Sequence, residues 1–174
     1  MILIISTCVE KLNENEFVKP IANIVGKDFE VKHYSEVQSV DKYDKIIICG
    51  TALKDNSFLE DLDKFVWLLE TANPVLGICS GMQIIALSFG AELTESKEIG
   101  MTKVNVLKEN VLFSEELKVY ELHGNGLINL DQFNILADTD GSVQAIKHKE
   151  KKFYGIIFHP EVRNHQVVIN FLEL

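Results

Sequence analysis

The first half of the chain alternates short β-branched runs with longer stretches of helical spacing, a pattern that commits it to βα units on a parallel sheet. Met1–Ile5, Phe29–Tyr34, Lys45–Cys49 and Pro74–Ile78 read as strands. Between them Glu14–Val25 and Ser57–Glu70 read as amphipathic helices. In the second, Phe58, Leu62, Phe65, Leu68 and Leu69 fall near i, i+3, i+4 spacing, and Asn56 or Ser57 supplies the N-cap. A third helix is expected from the Cys79–Gly81 turn through Met82 and Leu87 to Gly90. From Thr102 the pattern changes to short alternating runs: Thr102–Leu107, Lys118–Leu122, Asn134–Ala137, Val143–His148 and Phe153–Phe158. Polar or Gly-containing turns separate them, which predicts an antiparallel or mixed extension of the sheet. His165–Leu172 reads as a short closing helix. The expected fold class is α/β, with a central, mostly parallel sheet flanked by helices and an antiparallel extension.

At 174 residues, with no repeat, low-complexity tract or Pro/Gly/Ser-rich linker, residues 1–174 are expected to form a single domain. An apolar fraction of 47% supplies a core. A net charge of -9 repels a phosphate backbone, so nucleic acid is not an expected partner. No apolar run approaches the roughly 18–20 residues that span a bilayer, and Met1–Ile5 reaches Glu10 too soon for a signal peptide. No membrane partner is expected, and the expected location is the cytoplasm. Cys8, Cys49 and Cys79 are odd in number and form no CxxC pattern, so neither a disulfide framework nor a metal site is expected.

The sharpest local feature is Pro74-Val-Leu-Gly77-Ile78-Cys79-Ser80-Gly81-Met82-Gln83, an apolar strand running into G-x-C-x-G and a helix. This is the pattern of a nucleophile elbow with Cys in the Ser position. The tight turn forces its central residue toward a strained backbone, and side chains two positions away on either side would clash. Chance would place glycines at both flanks of a given Cys in roughly 0.5% of cases, at a glycine usage of about 7%. Cys79 is expected to stand exposed at a helix N-terminus, where the dipole and free N–H groups favour the nucleophilic thiolate. The Ser80 N–H would point toward a developing oxyanion. Cys8 and Cys49 lack such a context and read as packed thiols.

Among five histidines, only His159 has an orienting partner in reach. Pro160 keeps it extended, and in an extended segment residues i and i+2 point the same way, so Glu161 reaches its imidazole. Cys79, His159 and Glu161 form a candidate triad. His33, His148 and His165 read as surface or structural. His123 lies in Glu121-Leu-His123-Gly124-Asn125-Gly126, read as a glycine-rich turn after a strand, and is either a pocket residue or a turn residue.

The motifs Gly77-Ile-Cys-Ser-Gly-Met-Gln83 and Gly155-Ile-Ile-Phe-His-Pro-Glu161 are similar to the elbow and the G-x-Q-F-H-P-E signature of the class I glutamine amidotransferases. Within that family the chain looks most like the stand-alone amidotransferase subunits of GMP synthases, over nearly its whole length. The resemblance implies a flavodoxin-like fold and a Cys79 that attacks the side-chain amide of L-glutamine, forming a glutamyl thioester and releasing ammonia. His159 would shuttle protons, Glu161 would hold it, and Gln83 would help bind glutamine. Ser80 and Gly50 would supply the oxyanion hole. The resemblance implies no cofactor.

Three positions depart from the family pattern. Cys49-Gly50-Thr51-Ala52 stands where a Gly-Gly-Pro loop is usual, Leu122-His123-Gly124-Asn125 where Ser-His-x-Asp is frequent, and Ile157 where Gln is frequent. The chain has no G-x-x-x-x-G-K-[ST] loop and no room for an ATP-using domain, so the expected partner is a separate ATP-using synthetase. Two alternatives remain open on the sequence: a γ-glutamyl hydrolase of the same fold, and a catalytically weakened amidotransferase-like binding or regulatory protein.

Overall fold

The computed structural model describes residues 1–174. Its strands are β1 (Ile2–Ser6), β2 (Phe29–His33), β3 (Lys45–Ile48), β4 (Val75–Ile78), β5 (Glu92–Val106), β6 (Leu117–Ile128), β7 (Phe133–Thr139), β8 (Ser142–His148) and β9 (Phe153–Ile156). The helices are α1 (Glu14–Phe17), α2 (Lys19–Val25), α3 (Trp67–Glu70), α4 (Ser80–Ser88) and α5 (His165–Leu172). One sheet runs in the order β2-β1-β3-β4-β9-β8-β7-β5-β6. The β2, β1, β3, β4 and β9 strands pair in parallel, and β8, β7, β5 and β6 continue the sheet antiparallel.

Strand alternation sorts the core onto two faces. Ile4, Ile47 and Leu76 pack with Phe17 and Ile21 of α1 and α2 and with Val168 and Phe171 of α5. Leu3, Ile5, Ile46 and Ile48 pack on the other face with Ile84 and Ile85 of α4 and with Phe65 and Leu68. No helix is long and apolar enough to cross a membrane.

Four expectations need correction. Glu14–Val25 is two helices, α1 and α2, because Pro20 at the start of α2 has no N–H to continue the ladder. Ser57–Glu70 is not one helix. Two 3₁₀ turns, Ser57–Leu59 and Leu62–Phe65, precede α3, and neither Asn56 nor Asp61 caps them with its side chain. The i, i+3 spacing of Leu62 and Phe65 suits the 3₁₀ period as well as the α period, and both Phe58 and Phe65 are buried by the two turns. The runs expected at Thr102–Leu107 and Lys118–Leu122 are the inner ends of a much longer hairpin, paired from Glu92 opposite Ile128 to Val104 opposite Leu117. Its outer half, Glu-Leu-Thr-Glu-Ser-Lys-Glu, carries no apolar alternation, so backbone pairing rather than pattern makes it a strand. The turn expected at Glu121–Gly126 therefore lies inside β6. In keeping with the mixed extension expected, β9 pairs in parallel with β4 and antiparallel with β8, which sets the elbow beside the His159 segment.

Candidate active site

β4 delivers Cys79 into the turn before α4, and Cys79 sits at φ 51° and ψ -106°, a left-handed backbone rare for a residue with a side chain. Such strain persists only where neighbours enforce it. Two glycines make the enforcement possible. A Cβ on Gly77 would lie 2.4 Å from the backbone of Gly81, and a Cβ on Gly81 would lie 2.2 Å from the Ile48 carbonyl oxygen. The helix can therefore press onto β3 and β4 only with hydrogen at both positions. Ser80 and the residues after it open α4 with N–H groups that have no acceptor within the helix.

His159 arrives at the end of the β9 segment, its N–H donating to the Tyr120 carbonyl at 2.9 Å. Its Nδ1 lies 2.7 Å from Glu161 Oε1, with both side chains almost fully buried. This contact is the i, i+2 geometry expected of His-Pro-Glu. Nε2 is buried and makes no hydrogen bond within the protein. Phe17 packs against the imidazole, ring centres 5.5 Å apart. Gly50 sits between the pieces: a Cβ there would lie 2.9 Å from His159 Cε1 and 3.3 Å from Cys79 Cβ. Burial works against a charged imidazole, but the Cys79 sulfur and the Glu161 carboxylate together outweigh it and hold His159 well above the usual histidine range. Burial pushes the thiols of Cys8 and Cys49 up, Cys49 well above the ordinary value, as inert packed cysteines require.

Cys79 is not exposed as expected; it is 5% accessible. Thr51, Leu53 and Asn56 close one side of it and Leu122, His123 and Asn125 the other, with Gln83 beside it, leaving a cavity of about 20 Å³. That is room for about one water. Gln83 is buried and donates from Nε2 to the Asn125 carbonyl at 3.1 Å, so it is not a helix-surface residue. His123, also buried, lines the same cavity and binds Glu121 at 2.9 Å. The Cys79 Sγ lies 3.7 Å from the Leu122 carbonyl.

Several organising residues escaped sequence reasoning. The Cys49 carbonyl accepts from Thr7 Oγ1 at 3.0 Å and from Ser80 Oγ at 3.2 Å, which fixes the Cys49–Gly50 peptide and thereby the direction of the Gly50 N–H. Asp55 takes the Thr51 hydroxyl and the Val9 N–H, each at 2.8 Å, and so ties the loop over Cys79 to the loop after β1. An Asp four residues beyond Thr51 is a turn signal, but nothing local announces its partner at Val9. Glu98 gave no signal because it meets His123 only across the hairpin, whereas the i, i+2 contact of Glu121 with His123 was as local as that of His159 with Glu161 and was hidden by reading Glu121–Gly126 as a turn.

A strained cysteine between a parallel sheet and a helix, next to a buried His–Glu pair, is an arrangement able to carry thiol-dependent acyl transfer. The profile of the class I glutamine amidotransferases matches residues 15–173, and the chain belongs to that family. A subunit of glutamine-hydrolyzing GMP synthase from Thermoplasma acidophilum is 36% identical over 135 residues, covering 73% of this chain and 68% of that protein. The corresponding GMP synthase subunit from Methanosphaera stadtmanae is 46% identical over 99 residues, an alignment spanning 52% of this chain and 53% of the relative. A crystal structure of a T. acidophilum protein provisionally assigned to the same GMP synthase role superposes with a TM-score of 0.84 at 28% identity, covering 99% of this chain and 92% of that one. The α/β fold, with its five parallel strands and antiparallel extension in one mixed sheet, is thus the amidotransferase fold expected from the motifs.

Proposed function

We propose that residues 1–174 act as one amidotransferase domain, the glutaminase half of a two-subunit GMP synthase, releasing ammonia from L-glutamine for a separate ATP-using synthetase. The observation that carries this reading is the joint placement of Cys79 on its strained turn and the His159–Glu161 pair beside it, Gly50 between them. The names of the GMP synthase relatives support the acceptor assignment.

In the proposed reaction the Cys79 thiolate attacks the side-chain carbonyl carbon of glutamine. The N–H groups of Ser80 and Gly50 receive the developing oxyanion. His159 gives its proton to the departing nitrogen, so ammonia leaves and a glutamyl thioester remains. Water then attacks the thioester as His159 takes its proton, and glutamate and the thiolate are regenerated. Glu161 holds the imidazole tautomer and stabilises its charged form. Gln83 and His123 line the substrate side of the pocket.

A cavity of about 20 Å³ does not admit glutamine, since ligand pockets run to about 300–1,000 Å³. Part of the cavity lining must therefore withdraw before substrate binds. The same closed pocket is the one observation favouring the reading as a weakened binding or regulatory protein. Ammonia release from glutamine, measured with and without the co-purifying synthetase, tests the proposal. Release that depends on Cys79 supports it, and no release in either state together with no alkylation of Cys79 by a glutamine analogue overturns it.

A further inference from the structure

Behind the pocket lies a group of polar side chains that includes His123 of its wall and otherwise takes no part in the proposed reaction. Glu98 of β5 and Glu121 and His123 of β6 each offer one ligand-type atom, and these atoms lie within 4.8 Å of one another. The hairpin register sets Glu98 opposite His123, and the two-residue period puts Glu121 on the same face as His123. Glu121 is 1% exposed and His123 2%, while Glu98 is half-buried. No lysine or arginine pairs with either carboxylate. Carboxylates are rarely buried without a cation to offset their lost hydration.

Their surroundings are also unsatisfied. Glu121 Oε1, His123 Nδ1, Ser142 Oγ and both amide atoms of Gln144 are buried without a hydrogen-bond partner. Gln144, fully buried on β8, stands against the Glu121 carboxylate, and Ser142 against that of Glu98. Native interiors leave few such atoms unpaired, and here they gather around one negative centre. His123 is the one side chain placed to offset a charge, and it can offset only one of the two carboxylates; water would satisfy the hydrogen bonds but leave the other.

We propose that Glu98, Glu121 and His123 bind one divalent transition-metal ion of the Zn²⁺ type between the β5–β6 hairpin and β8. One imidazole and two carboxylates suit such ions, with bonds of about 2.0–2.2 Å, whereas Mg²⁺ and Ca²⁺ favour all-oxygen sets. Nε2 of His123 and Oε2 of Glu121, now 2.9 Å apart, would turn their lone pairs to the ion, and any proton between them leaves to solvent. Gln144 and Ser142 then serve as oxygen donors to the ion or to its water. The ion fastens the strand whose Leu122 carbonyl faces the Cys79 sulfur and whose Asn125 carbonyl holds Gln83. This inference does not rest on the glutaminase reading.

The test uses the full chain carrying Cys79→Ala, so that no thiolate offers a competing site, stripped with a chelator and titrated with Zn²⁺ by calorimetry. One ion per chain is expected, with a rise in melting temperature as free Zn²⁺ increases. Adding Glu98→Gln should weaken binding at least 10-fold and remove the visible absorption bands of Co²⁺ bound in place of Zn²⁺. Glu98 is the primary target because it is half-buried and its loss spares the fold; Glu121→Gln is the second, used if its circular dichroism matches the parent. Absence of Zn²⁺ binding overturns the proposal, and is the result if a proton shared by the two carboxylates takes the place of the ion. Equal binding by the parent and by the Glu98→Gln chain also overturns it, because the ion then sits elsewhere.

Discussion

The three cysteines are all buried, so accessibility does not distinguish them; backbone and neighbours do. Only Cys79 combines a positive φ, a helix N-terminus and an adjacent imidazole. Cys79→Ala should abolish ammonia release, whereas Cys8→Ser and Cys49→Ser should keep most of it, and mass spectrometry of analogue-labelled protein should find the adduct on Cys79. His159→Ala should cost on the order of 10²–10⁴ in rate, and Glu161→Gln less, since it disturbs orientation and not the proton acceptor. The elevated titration of His159 gives a separate readout. Its charged form is favoured in the fold, so the stability it contributes is complete below the unfolded imidazole value near 6.5 and is lost as pH rises through the higher folded value. Denaturation midpoints of the wild type should therefore fall toward those of His159→Gln as pH increases, and the imidazole resonance of His159 should titrate lower in Cys79→Ser.

Among the elements, the contact of α4 with β3 and β4 is set by backbone touching backbone. Gly81→Ala drives a methyl toward the Ile48 carbonyl, an obstacle that no side-chain rotation relieves, and should cost about 3 kcal/mol in urea unfolding. Gly50→Ala is a different case. Its methyl meets the His159 ring and the Cys79 side chain, so the fold should survive while kcat falls by about 10²-fold, the effect of displacing reacting groups by about 1 Å. Circular dichroism beside steady-state kinetics separates the two substitutions.

For the whole molecule, the closed pocket and the loop held by Asp55 lead to one expectation: the free chain is a poor glutaminase and a synthetase partner stimulates it. Thr51 is anchored where the family pattern has glycine, so opening the pocket means breaking its contact with Asp55 and the contact of Asp55 with Val9. Turnover by the chain alone at about 1–10 s⁻¹, unchanged by the partner, would exclude such control. Asp55→Ala should raise the activity of the free chain relative to the complex, because it removes the tie without touching the triad.

The βα alternation, the elbow and His-Pro-Glu were legible in the sequence because each depends on neighbours within a few residues: side-chain period, steric limits at Gly77 and Gly81, and the extended geometry that Pro160 imposes. Pro20 was equally local, yet the helical spacing around it concealed the break between α1 and α2. Tertiary structure alone decided the rest. Glu92–Met101 became a strand through hydrogen bonds to β6 that no pattern of its own side chains foretells. Parallel pairing of β9 with β4 brought His159 across the chain to Cys79. Packing of the Thr51–Asn56 loop against β6 buried the sulfur that its own turn would have left open, because burial is a sum over distant neighbours and not a property of any short segment.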